Sequence, residues 1–160
     1  EAPFDLVLVD PPYATAPTAV SGVLAALAIE AISRGADAAV LVERDPAAVA
    51  AITENLAVLG MSGRARVLRR DVAAFLAAPP APEAPFDLVL VDPPYATAPT
   101  AVSGVLAALA MPAWVTADAT VVVEGPAGDG PSWPPGWVST WHRCYGDTLL
   151  CFGNTIEEKP

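Results

Sequence analysis

The sequence predicts an α/β fold, a mostly parallel sheet with helices on both faces and an antiparallel hairpin at its C-terminal edge. Three observations predict it. Short apolar runs alternate with helical stretches along the 160 residues. Phe4–Val9 and its repeat Phe86–Val91 are near-continuous apolar runs, as strands covered on both faces are. Gly146-Asp147, between two β-rich runs, is a two-residue hairpin signal.

Phe4–Val9 is the first strand, and a helix follows from about Pro17 to Arg34, with Pro17 suited to its first turn and Gly35 to its end. Ala38–Glu43 is the second strand. Asp45-Pro46 opens the next helix, Asp45 as N-cap and Pro46 at the first position, and the helix runs to Leu59 and stops at Gly60. Ala65–Arg69 is a short strand and Asp71–Ala77 a short helix. The Pro- and Ala-rich stretch Ala78–Pro85 is a loop, after which Phe86–Val91 is a strand and about Pro99–Ala110 a helix. Thr120–Glu124 is a further buried strand, and Trp137–Tyr145 and Thr148–Phe152 form the hairpin. The polar tail Gly153–Pro160 is expected to fray.

Composition bounds the function. A single domain over residues 1–160 is expected, large enough to bury about 70% of its unfolded surface. No apolar run is long enough for a membrane span, and Glu1 opens a terminus without a basic leader region. Cys144 and Cys151 match no zinc or redox spacing, so a reduced, cytoplasmic protein is expected, with no membrane partner and no metal. The net charge is −10, which is a weak footprint for gripping nucleic-acid phosphates. Four of the eight cations cluster as Arg64, Arg66, Arg69 and Arg70. A solvated strand end or ion pairing is the ordinary reading of that cluster, and a local RNA-facing patch is the alternative.

Residues 1–28 are repeated without a substitution at 83–110. Repeats that evolve together drift apart, so identity of this degree marks a recent duplication, an engineered insertion or an assembly error. Each copy carries Asp-Pro-Pro-Tyr directly after its strand, at Asp10–Tyr13 and Asp92–Tyr95. This tetrapeptide suits methyl transfer to an amino nitrogen. Ligands of parallel sheets bind beyond the carboxyl ends of the strands. Asp10, Glu43, Asp71, Asp92 and Glu124 therefore form the acidic rim to inspect, with N-capping the competing role for Asp45 and Asp71. His142, the one histidine, falls on the hairpin, away from that rim.

In order, the pieces IEAISRGA (29–36), LVERD (41–45), RRDVAAFL (69–76), FDLVLVDPPY (86–95), VVVEGPAG (121–128) and YGDT (145–148) resemble the RsmD-type 16S rRNA (guanine-N2) methyltransferases. The resemblance covers about three-quarters of the chain and is specific in combination. It implies a Rossmann-like class I methyltransferase sheet, S-adenosyl-L-methionine as cofactor, and 16S rRNA or the small ribosomal subunit as partner. By the same resemblance, Glu43 would accept from the cofactor's ribose hydroxyls, with Arg44 beside it in the cofactor site. Asp71 would accept from the adenine amine, and the Val72 amide would meet the ring. Asp92, Pro93, Pro94 and Tyr95 would form the catalytic base pocket, Asp92 also bordering the cofactor. There Asp92 and the Pro93 carbonyl would hold the exocyclic amine while Tyr95 stacks on the base.

The chain departs from the family at its first motif, and the family's basic N-terminal arm is not seen in the sequence either. The slot for the first strand and its glycine-rich turn, D-x-x-x-G-x-G, is filled by the first copy and reads DPPYATAPT. FDLVLV can take the central strand position, but nothing replaces the glycines that let the cofactor approach the backbone. The expectation is that the sheet forms while the cofactor binds weakly or not at all, leaving the enzyme impaired. A non-catalytic Rossmann-like scaffold and an amino-methyltransferase acting on DNA bases are the alternatives; the second lacks a target-recognition domain. Two identical strand–helix units also leave pairing poorly specified, which makes domain-swapped dimers an expectation.

Overall fold

The duplicated strand takes the centre of the sheet. In a computed structural model that describes residues 6–9, 26–93 and 97–156, the first of these by backbone alone, β1 (Leu6–Val9) pairs in parallel with β2 (Ala39–Glu43) on one side and β4 (Phe86–Val91) on the other. β3 (Ala65–Arg69) lies outside β2 and β5 (Val115–Pro126) outside β4, both parallel. β7 (Thr148–Thr155) then pairs antiparallel with β5, and β6 (Trp137–Tyr145) with β7. The order among the described strands is β3-β2-β1-β4-β5-β7-β6. The expected mostly parallel sheet, its hairpin edge and the central place of the first copy's strand are all observed.

Helices cover both faces. The described part of α1 spans 26–33; α2 is Pro46–Val58, α3 is Val72–Leu76 and α4 is Pro99–Leu109. The strand sequences explain why both faces are covered. Val40 and Val42 of β2 join Val89 and Val91 of β4 in a core closed by Phe75 and Leu76 of α3 and Val102, Leu106 and Leu109 of α4. The intervening residues point the other way: Ala39 and Leu41 pack with Ile32 of α1 and Ile52 and Leu56 of α2, and Leu88 and Leu90 lie against them. A run apolar at every position is thus used on both sides, each fully buried Leu or Phe contributing about 1.5–3 kcal/mol. The Trp137 indole donates to the Leu106 carbonyl at 2.7 Å, which ties the start of β6 to α4.

Two strands are longer than expected. β5 begins at Val115 rather than Thr120, because Thr116, Ala117 and Asp118 break the apolar run while an irregular register carries the pairing across them. β7 continues through Gly153, Asn154 and Thr155, the first part of the tail expected to fray. There the Asn154 amide donates to Thr120 Oγ1 at 2.9 Å and the Thr155 hydroxyl to the Thr116 carbonyl at 3.2 Å, so polar side chains extend the ladder where apolar ones end. Gly146 turns the hairpin at φ +61, a conformation that suits glycine. Residues 157–160 lie outside the described residues, as does Phe4 of the expected first strand.

Candidate active site

Parallel strands bring their carboxyl ends to one edge, and the acidic residues follow. Glu43 ends β2, Asp71 follows β3 by two residues, and Asp92 follows β4 directly. Val91 is in register with Val123 of β5, which sets Glu124 beside Asp92 on the neighbouring strand. Adjacent strands lie about 4.8 Å apart. Four of the five expected rim residues thus share the edge; Asp10 lies outside the described residues.

The turns after β2 and β3 are fixed by their own acids. Glu43 is 1% exposed, and its Oε1 accepts from the Asp45 amide at 2.7 Å. Asp45 Oδ1 accepts from the Ala47 and Ala48 amides, both at 2.9 Å, capping α2 with Pro46 at its first position. Asp71 Oδ1 accepts from the Ala74 amide at 3.0 Å and caps α3. The capping roles weighed for Asp45 and Asp71 are therefore real, each worth about 1 kcal/mol. One oxygen of Asp71 is committed to the cap.

A pocket of about 680 Å³ opens between these turns and α4. Arg44, Asp71 and Val72 line it from one side and Pro93 and Thr97 from the other. Its apolar wall includes Leu76, Val91, Val102 and Val105. Space for it comes from Ala101, Gly104 and Ala108, small residues at helical spacing on α4. That spacing is legible in the sequence and was not part of the expected site. Glu43 is not on the pocket wall; its carboxylate is folded into its own turn next to Arg44.

Among the described residues, Asp92 has the most perturbed electrostatics. It is partly buried, and its Oδ1 is enclosed with no hydrogen-bond partner among the described residues. Burial first, and the nearby Glu124 charge second, push its pKa from 3.8 up to about 7. Burial also raises the pKa of Glu124. A second pocket of about 210 Å³ begins here, sharing Pro93, Thr97 and Val102 with the larger one and bounded by Glu124, Gly125, Pro126, Asp129, Gly130 and Pro131.

The structure thus gathers Arg44, Asp71, Val72 and Pro93 on one cavity, with Asp92 at its edge and Glu43 close behind. Pro94 and Tyr95 lie outside the described residues. The arginine cluster divides. Arg66 pairs with Glu83 through Nε at 2.8 Å and Nη2 at 2.6 Å, and Arg64 donates to the Ala36 and Asp37 carbonyls. Arg66 thus forms an ordinary ion pair, and Arg69 and Arg70 are exposed at the end of β3. His142 is exposed on β6.

The comparisons agree with this geometry. A family model described as Conserved hypothetical protein 95 matches residues 18–154. Ribosomal RNA small subunit methyltransferase D of Escherichia coli is 34% identical over 113 residues, covering 70% of this chain and 54% of that protein. The chain spans about half the length of the curated relatives it matches. Among solved structures, yhhF from Escherichia coli superposes with a TM-score of 0.77 at 27% identity, covering 97% of this chain and 78% of that one. An RNA methyltransferase from Salinibacter ruber, in complex with S-adenosyl-L-homocysteine, gives a TM-score of 0.64 at 15% identity, covering 98% of this chain and 84% of that one. That second likeness is one of fold alone, a class I methyltransferase fold. By the match over residues 18–154, the chain belongs to the Conserved hypothetical protein 95 family, the RsmD-type methyltransferases.

Proposed function

We propose that the chain carries the S-adenosyl-L-methionine-dependent chemistry that methylates the exocyclic N2 of a guanine in 16S rRNA. The observation that carries the reading is the single cavity joining Arg44, Asp71 and Val72 to Pro93, next to an Asp92 whose Oδ1 has no hydrogen-bond partner among the described residues. The small-subunit rRNA substrate rests on the name of the Escherichia coli relative.

The residues fit the adenosine part of the cofactor. Asp71 keeps one oxygen for the α3 cap, which leaves the other for an adenine amine. Val72 offers a backbone amide at the first turn of α3, and Leu76, Val91 and Val105 give a ring an apolar wall. Arg44 lines the cavity beside the ribose position that this reading requires, and Glu43, folded behind it onto the Asp45 amide, would have to turn outward to accept from ribose hydroxyls. The methionine end would meet the segment after β1, whose sequence lacks Gly-x-Gly and lies outside the described residues. We therefore expect weak cofactor affinity and impaired turnover.

When bound, S-adenosyl-L-methionine supplies an electrophilic methyl group. The chain's own contribution is placement. Asp92 Oδ1 is an acceptor without a partner among the described residues, and an arriving N–H donor favours its ionised form and draws its pKa back down. The Pro93 carbonyl is a second acceptor, held stiff by the proline ring. Together they would direct the nitrogen lone pair of an amine, with Tyr95 stacking on the base. The test is transfer of a labelled methyl group to small ribosomal subunits, followed by mass spectrometry of the nucleosides. Label in N2-methylguanosine supports the reading; label elsewhere, or none at saturating donor, overturns it. Calorimetry with the donor tests the impairment separately, since a low-micromolar dissociation constant would overturn that part alone.

A further inference from the structure

We propose that Glu124 selects guanine at the target site by accepting the ring N1–H beside the methylated amine. The inference rests on the function proposed above. Its ground is the juxtaposition of Asp92 and Glu124 on neighbouring strands, in the register set by Val91 and Val123; Glu124 lines the smaller pocket, and so does Pro93, the residue after Asp92. That pocket is about a third the volume of the larger one, 210 against 680 Å³, and proline and glycine form much of its wall beside Glu124. Pro93, Pro126 and Pro131 offer flat surfaces and few donors, which suits one planar heterocycle entered edge-on.

Guanine presents two kinds of donor side by side on one edge, the ring N1–H and the exocyclic N2 amine. Two acceptors on adjacent strand ends match that edge: Asp92 takes an amine proton and Glu124 the ring N–H. Adenine puts a lone pair at N1 next to its amine. An ionised carboxylate facing that lone pair repels it, so the pair would reject adenine as well as accept guanine. Asp92 alone cannot make this distinction, because both bases offer it an amine.

The probe is 2-aminopurine, which keeps the exocyclic amine at C2 and replaces N1–H by a lone pair. Short RNAs carrying guanine or 2-aminopurine at the target are compared with the wild-type chain, E124Q and E124D. Binding is read without the methyl donor, from 2-aminopurine fluorescence and by competition with the guanine RNA. Methyl transfer is read in parallel. Wild type is expected to prefer guanine by about tenfold or more, one charge-assisted hydrogen bond. E124Q can turn its amide N–H toward the lone pair and should shrink or reverse that preference, while E124D keeps an acceptor and should keep its sign. Far-ultraviolet circular dichroism of each variant checks that it is folded. Equal guanine preference in wild type and E124Q, in both readouts, overturns the proposal. Failure of wild type to methylate any guanine overturns the function instead, and the binding comparison still decides on Glu124.

Discussion

Asp92 and Glu124 stand on neighbouring strand ends, and the Glu124 charge adds to burial in raising the Asp92 carboxyl to about 7. This has a definite sign for stability. The unfolded carboxyl titrates near 3.8 and the folded one near 7, so between those values the folded state holds a proton that the unfolded state has lost. Stability contributed by this group is full below about pH 4 and falls as pH rises toward 7. Glu124, also raised, acts in the same direction. We expect the urea midpoint to drop across that window, and D92N to flatten the drop. Asp129 and Cys151 in the smaller pocket, and Arg44 and Asp71 in the larger, are untouched by the substitution. A slope unchanged in D92N would count against the shifted carboxyl.

Asp71 does two jobs that a pair of substitutions can separate. Its Oδ1 caps α3 through the Ala74 amide, and it lines the larger pocket. D71A should lose the cap, at about 1 kcal/mol, together with the proposed adenine contact. D71S should keep most of the cap and lose the carboxylate. Thermal melts would then rank wild type and D71S above D71A, while calorimetry with S-adenosyl-L-methionine would show both variants weakened relative to wild type. Donor affinity equal to wild type in D71S would remove Asp71 from the cofactor site.

Gly153 of β7 lies beneath the Trp133 ring, and a Cβ at 153 would overlap that ring. Trp133 in turn packs against the core under α4. G153A should therefore push the indole away and destabilise the chain by roughly 1–3 kcal/mol, the usual range for overpacking. The double variant G153A/W133L should recover part of the loss, since a smaller side chain makes room. Additive losses in the double variant would show that the two residues do not interact.

Much of this fold was legible because its central parallel strands are near-continuous apolar runs and its helices begin at Asp or Pro. β3, β4 and β6 have the residues expected of them, and α2 begins at the Asp45 cap. What was not legible is what depends on neighbours. The early residues Thr116 and Asp118 of β5 are polar, and the strand crosses them by a register shift against β4, with the Thr155 hydroxyl bonding the Thr116 carbonyl. The acidic rim could be listed from strand ends, but pairing Asp92 with Glu124 needs the β4–β5 register. The α4 wall of the larger pocket was missed because it is built from small residues, and Ala101, Gly104 and Ala108 read as ordinary helix until the cavity beside them is seen. Arg66 illustrates the reverse case: its partner Glu83 lies seventeen positions away, beyond any local charge pattern.

The duplicated strands make a last prediction. Leu6, Val7, Leu8 and Val9 pair with Leu88, Val89, Leu90 and Val91, so each residue of β1 lies beside its own copy. β2 would therefore meet the same side-chain sequence if a second molecule supplied β4 in place of β1. Register normally identifies a strand through its pattern of side chains, and here the pattern is the same twice. Connectivity and concentration are left to decide which copy enters. We expect refolding at millimolar concentration to yield strand-exchanged dimers, and refolding at micromolar concentration to yield mostly monomer. Size-exclusion chromatography with light scattering reads the proportion, and slow interconversion after dilution would distinguish exchange from loose association. Monomer alone at both concentrations would mean that the sequences flanking the copies, rather than the strands, dictate the pairing.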